Sequence, residues 1–406
     1  MRRGRAVVTG IGVIAGPVCG IDALAEALRD SNMPAAEVDR SAGYHLECSA
    51  RFAILSGGVD FCRWLKPAEM RRMSYPSKLA VAAARMAIED AGLDVRGDRT
   101  TVALSNAYSA VQCTEQLLRS VIAEGPEAAS PFLFAESVAN APAAQVAIAT
   151  GAQGRNVTIT QREAGILTAA GRGAEDIEAG RADMALVGGV EEMPPLLHAL
   201  LDRFESLARP ADGAGEIARP FDRCRNGFVA AEGAVVLVLE EEAHARARGA
   251  HVRARVRAFG GAFDPTAPRI GWGSGHRRLA SALRRVLNRA GLEPRHIGRV
   301  VSGASGAVAG DRLEALTLLG VWEGVPLPPI LVPKAVTGQY GGGFLASAVI
   351  AAEGGVFGPT PGFREIDPQL GVRPYDGGVL APASLTLVTS LAAGGSASWL
   401  VLENPS

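Results

Sequence analysis

Short apolar runs and helix-period stretches alternate along this chain. Strand-type runs stand at 6–9, 102–104, 157–159, 184–187 and 235–239, the last inside an unbroken apolar segment, 234–239, of the kind buried on both faces. Between them, 77–91 and 164–179 repeat apolar positions every three or four residues and predict helices packed on a core. Strands alternating with helices predict an α/β architecture with buried sheets. The plan then restarts, with an extended stretch at 251–259, a helix at 277–290, a strand at 299–302, a glycine-rich turn, and helices at 311–319 and 344–353. Periodicity alone therefore gives α/β with a suggestion of duplication. The Pro-, Gly- and Ala-rich stretches 208–219 and 354–368 read as surface connections.

Composition narrows the function classes. At 406 residues the chain has ample length for a large core. Its 41 Lys plus Arg nearly cancel 42 Asp plus Glu, which leaves no electrostatic footprint for nucleic acid or an anionic membrane. Cys19, Cys48, Cys62, Cys113 and Cys224 form no close-spaced pair, so they read as reduced thiols with no metal site, and no cofactor is implied. The start, Met-Arg-Arg-Gly-Arg, leads into an apolar run of about six residues, shorter than a signal-peptide core, and no run reaches the roughly 18 residues of a membrane span. The expectation is a soluble, cytoplasmic protein. Its basic residues are nearly all arginine, with Lys66, Lys78 and Lys334 as the lysines.

The segment 220–234 carries the ordered string Pro-Phe-Asp-x-x-Arg-x-Gly-Phe-Val-x-x-Glu-Gly-Ala. With it, the chain resembles the β-ketoacyl synthases of fatty acid and polyketide assembly. Further landmarks follow in register: RAVVTGIGV at 5–13, similar to the family's first strand and glycine turn, then GRADMALVGGVEE at 180–192, AGDRLEA at 309–315, KAVTG at 334–338, and Gly394-Gly395. The resemblance implies a thiolase-like fold, a five-layered αβαβα sandwich of two duplicated halves, 1–250 and 251–406, each contributing one sheet.

A ketosynthase needs a cysteine at a tight strand-to-helix turn, where the helix N-terminus lowers the thiol pKa and N–H groups form an oxyanion hole. Counting without a gap from the 180–183 landmark puts Glu163 at that position, and a one-residue slip would put Arg162 there. Neither side chain can carry an acyl thioester. The family's two histidines, which polarise the thioester carbonyl, fall on Gly303 and Gln339, and neither residue titrates near neutrality. All three catalytic groups are thus replaced, leaving Lys334 as a retained residue able to pair with a carboxylate, Glu163 or another. The six histidines present, among them His45 and His198, lie off these positions and read as surface or helix-end residues. Glu163 has two readings. As a helix-end carboxylate it caps the turn and plugs the vestigial oxyanion hole. As a general base or decarboxylation helper, it would repel the malonyl carboxylate and the enolate.

Loss of Cys-His-His on an otherwise intact synthase resembles the chain length factors, the non-catalytic partners of the catalytic subunit in type II polyketide synthases. The string Glu163-Ala164-Gly165-Ile166 departs from the Gln-Ala-Gly-Gly usual there, which points away from aromatic systems and toward a polyene-type reducing one. By this resemblance Val111, Thr114 and Leu118, spaced three and four apart on one helix face, are the tunnel-lining residues, although any apolar face of a buried helix looks alike. Ala393 stands where the family has its phenylalanine gate. Phe132 and Phe134 fall in the dimer-crossing segment, where core packing explains them nearly as well. Lys66, Arg71 and Arg72 match carrier-facing basic positions or a solvated helix face. The implied function is to pair with a cysteine-bearing ketosynthase and shape the tunnel for a chain on an acyl carrier protein, elongated by decarboxylative Claisen condensation. The rivals are a self-sufficient malonyl decarboxylase or acyltransferase using Glu163 and Lys334, and a purely structural assembly platform.

Overall fold

The computed structural model describes residues 5–94, 97–211, 213 and 215–405; the basic start 1–4 and two positions in the 208–219 loop lie outside these. Ten strands form the frame. In the first half they are β1 Ala6–Ala15, β2 Thr100–Ser105, β3 Asn156–Ile159, β4 Met184–Glu191 and β5 Gly233–Glu241; in the second, β6 Ala254–Phe263, β7 Arg299–Val301, β8 Ile330–Leu331, β9 Leu385–Leu391 and β10 Ser396–Glu403. The first sheet runs β3-β2-β4-β5-β1 and the second repeats the order as β8-β7-β9-β10-β6. In each, the β2- or β7-centred pairs are parallel and the last two antiparallel, so the two halves share one plan. A short antiparallel seam, Val7 opposite Arg255 and Val8 opposite Ala254, joins them.

Helices fill the other three layers. Helix α1 (Tyr75–Ala91) covers the outer face of the first sheet; α3 (Gly165–Glu178) and α6 (Gly343–Glu353) lie between the sheets; α4 (His276–Arg289) and α5 (Val308–Val321) cover the second. Helix α2 (Val111–Glu124) follows β2. The middle helices show why the pattern was legible: α6 is apolar on every side, with Gly343 to Ala352 all buried, as a helix sandwiched by two sheets must be. The chain has the thiolase-like α/β sandwich that its resemblance implied.

One expectation is corrected. The glycines of the first landmark do not make a turn, since β1 continues unbroken to Ala15 with every residue buried. A β-carbon on Gly10 would fall 2.2 Å from the Ala87 carbonyl, and one on Gly12 would fall 1.8 Å from that of Ala83. The glycines are there so that α1 can lie against the strand, a close approach that a local pattern cannot distinguish from a turn. Among the described residues no helix is long and apolar enough to cross a membrane, and no cluster of three or more His, Cys, Asp or Glu could hold a metal.

Candidate functional site

Strand β3 leads through one tight turn, Arg162–Ala164, into α3, and this turn presents Glu163. Arg162 takes a left-handed φ of 47°, which turns the chain sharply at this point. The Glu163 carbonyl accepts a hydrogen bond from Ser390 Oγ at 2.6 Å, fixing the turn to the end of β9. Its carboxylate accepts from the Tyr340 hydroxyl at 2.8 Å through Oε1, and from the Ala393 N–H at 3.3 Å through Oε2. Tyr340 in turn accepts from the Tyr108 hydroxyl at 3.1 Å, the two rings meeting edge-on with centroids 5.1 Å apart. Burial pushes the Glu163 pKa up, and its own backbone N–H, the Lys334 charge and the Tyr340 hydrogen bond offset part of this.

The expected helix cap is therefore corrected. Helix α3 carries no side-chain cap, and the Glu163 carboxylate instead meets the Tyr340 hydroxyl, the Ala393 N–H and its own backbone N–H. The acceptor at the Ala393 N–H is this carboxylate, so a substrate carbonyl would have to displace it.

Lys334 opens the short helix Lys334–Thr337, buried, with its ammonium 4.7 Å from the centroid of the Phe344 ring. Burial lowers its pKa, opposed by the fields of Glu163, Glu314 and Asp311. Glu314 accepts from the Ser302 and Thr389 hydroxyls and the Gly303 N–H, and burial raises its pKa to about 7. Asp311 ties the turn after β7 to the 220–234 segment, accepting from the N–H groups of Ser305 at 3.0 Å and Phe221 at 2.9 Å. Gly303 has no free volume above it: a β-carbon there would lie 2.7 Å from the Thr389 carbonyl and 3.0 Å from Ser390 Cα. Gln339 is buried, its main chain paired with Val229 and Ala231, and its Oε1 has no hydrogen-bond partner.

Glu163, Lys334 and Gln339 line one inner pocket of about 50 Å³; Gly303 is outside its lining and packs against Ser390, whose hydroxyl bonds the Glu163 carbonyl. An outer cavity of about 490 Å³ shares the Glu163 wall and is lined by Leu197, Leu201, Phe228 and Trp272 among others, with Ala393 at its edge. Val111, Thr114 and Leu118 lie outside both linings. They do share one face of α2: Val111 packs against the apolar cluster that includes Leu197 and Phe228, Thr114 returns its hydroxyl to the Ala110 carbonyl at 2.9 Å, and Leu118 is 53% exposed. Phe132 and Phe134 are exposed, at 41% and 65%, which removes core packing as their explanation. Lys66, Arg71 and Arg72 are exposed as well.

Three features escaped the sequence. Tyr340 and Tyr108 carried no signal, since each is a lone aromatic in a small-residue segment. Glu191 and Glu192, at the end of β4, accept from the N–H groups of Ala107 at 2.6 Å and Gln112 at 2.7 Å; burial raises their pKa values to about 8 and about 7. His198 is fully buried on the helix Pro195–Arg203 and bonds His45 at 3.0 Å, against its reading as a surface residue; burial lowers its pKa to about 4.

The family model "Beta-ketoacyl synthase, N-terminal domain" matches residues 5–245. The chain is 30% identical over 321 residues to 3-oxoacyl-[acyl-carrier-protein] synthase 2 of Vibrio cholerae, covering 77% of this chain and 76% of that one. It is 30% identical over 389 residues to the tetracenomycin polyketide synthase ketoacyl synthase alpha subunit of Streptomyces glaucescens, covering 90% and 88%. Among solved structures, "The ishigamide ketosynthase/chain length factor" superimposes with a TM-score of 0.88 at 28% identity over 100% of both chains. A β-ketoacyl synthase from Burkholderia phymatum does so with 0.89 at 24% identity, over 99% of this chain and 100% of that one. The strand-to-helix turn under Glu163, the 220–234 string and these likenesses agree, and the chain belongs to the β-ketoacyl synthase family.

Proposed function

We propose that this chain is a chain length factor: a non-catalytic subunit that pairs with a cysteine-bearing ketosynthase and shapes the tunnel for a polyketide carried on an acyl carrier protein. The partner performs the decarboxylative Claisen condensation, and the complex works in the cytoplasm in a polyene-type reducing system. The observation that carries this reading is the Glu163 carboxylate bonded to Tyr340 and to the Ala393 N–H, at the turn where the family needs a thiolate. The closed space over Gly303 and the buried amide of Gln339 support it, since neither site offers an imidazole. The "ketosynthase/chain length factor" likeness at 28% identity supports the pairing. The same reading keeps the halves at 1–250 and 251–406, with Val111, Thr114 and Leu118 on the tunnel and Phe132 and Phe134 on the interface.

The test is acyl transfer from a radiolabelled acyl-carrier thioester. The purified chain is expected to take up no label, while the partner in the heterodimer takes it up on cysteine. An acyl adduct mapped to this chain by peptide mass spectrometry would overturn the reading in favour of a self-sufficient decarboxylase or acyltransferase.

A further inference from the structure

Arg162, Glu163 and Tyr340 line both the inner pocket and the outer cavity, so these three side chains are the wall between the two spaces. The wall is bonded as a chain, Tyr108 donating to Tyr340 at 3.1 Å, Tyr340 to Glu163 at 2.8 Å, and the Ala393 N–H to Glu163 at 3.3 Å. Its backbone is strained on both sides. Arg162 (φ 47°) and Tyr340 (φ 72°) are left-handed although both carry β-carbons. Such strain persists only where the surroundings hold it, and it gathers at clamps and switches.

The two sides differ chemically. Outside, the cavity of about 490 Å³ has a rim of exposed apolar side chains, Leu200, Phe204, Ile270 and Val308. Inside stand the buried Lys334 amine and the unpartnered Gln339 Oε1. Burial lowers the pKa of that amine, with the fields of Glu163, Glu314 and Asp311 opposing it. In its neutral form that amine would consume a thioester that reached it: the nitrogen attacks the carbonyl carbon, the C–S bond breaks, and the thiol leaves with the proton as an amide forms.

We propose that Glu163 and Tyr340 are positioning residues forming a latch, which stops a linear acyl chain in the outer cavity of this subunit and keeps it from Lys334. The inference rests on the reading of this chain as a partner without its own nucleophile. Its test reads lysine labelling, not product or acyl uptake, so the two can fail separately.

The probe is octanal with cyanoborohydride, applied to the heterodimer and to the chain alone. The amine and aldehyde form an imine with loss of water, and hydride reduces it to a secondary amine that peptide mass spectrometry locates. Exposed Lys66 is the internal reference. In the parent protein Lys334 is expected to stay unmodified while Lys66 reacts. Tyr340→Gly suits the left-handed backbone and removes the ring, and Glu163→Ala removes the other half of the latch. Each is expected to raise Lys334 labelling about tenfold or more, the equivalent of ~1.4 kcal/mol, with Tyr340→Phe between them and the parent. Equal labelling of Lys334 and Lys66 in the parent would overturn the proposal. So would continued protection of Lys334 in folded Tyr340→Gly and Glu163→Ala proteins.

Discussion

The carboxyl group of Glu163 governs what its neighbours can do. The Ala393 N–H and the Tyr340 hydroxyl both donate to it. Glu163→Gln would keep an acceptor for Tyr340 but turn an N–H group toward the Ala393 N–H, leaving a buried donor unpaired. We expect it to cost about 1–3 kcal/mol in stability, read by denaturant midpoint, while condensation by the heterodimer stays within a few-fold of the parent. Gly303 sets a second limit. Its β-carbon space lies 2.7 Å from the Thr389 carbonyl, so Gly303→Ala is expected to destabilise by ~1–3 kcal/mol through overpacking. For the same reason the triple variant Glu163→Cys/Gly303→His/Gln339→His should not become a ketosynthase. Its condensation rate is expected about a hundredfold or more below that of a catalytic subunit, since a misplaced imidazole forfeits general acid–base assistance. A rate within tenfold would show that the backbone at Gly303 opens readily.

Between elements, the informative joint is the end of β4 against the start of α2. Glu191 holds the N–H groups of Ala107 and Tyr108, and Glu192 holds that of Gln112 in the first turn of α2. Burial raises both pKa values, to about 8 and about 7, so the folded state binds protons that the unfolded chain has released. The sign follows: stability from these groups is fullest below the ordinary carboxylate pKa and is lost as pH rises through about 7 and 8. We expect the melting temperature to fall between about pH 6 and about pH 9, and the fall to shrink in Glu191→Gln. The helix these carboxylates hold is also the one that bears Val111, Thr114 and Leu118. If that face ends the tunnel, Val111→Trp or Leu118→Trp should shift carrier-bound products to shorter chains by about tenfold, measured as a mass distribution with melting temperature as control. An unchanged distribution from well-folded variants would place the length-determining site elsewhere.

At the scale of the molecule, one surface is left apolar. Leu118 and Ile122 stand exposed on one face of α2, and Phe132, Phe134 and Val138 are exposed on the segment that follows. A monomer rarely leaves such groups to water without a partner. We expect the chain alone to self-associate and the heterodimer to be well behaved, because obligate interfaces commonly bury over roughly 2,000 Å². Phe134→Asp should dissociate the heterodimer in sedimentation while leaving the fold intact by circular dichroism, since the side chain is 65% exposed in the chain by itself. A heterodimer of unchanged stability would take Phe134 off the interface.

The alternation of apolar runs was enough for α/β, because each buried strand or helix writes its own burial into neighbouring positions of the sequence. The ordered string at 220–234 carried the family, because it is a set of residue types at fixed spacing. Tertiary structure decided the rest. Gly10 and Gly12 proved to be contact points for α1 in an unbroken strand, since the partner that demands them lies far along the chain. His198 proved buried, its role set by His45 from a distant loop. The wall at Glu163 is assembled from Tyr108, Tyr340 and Ala393, which meet only when two sheets and the helices between them pack together. A sequence shows which side chains are available; which of them share a cavity depends on long-range packing that no local period encodes.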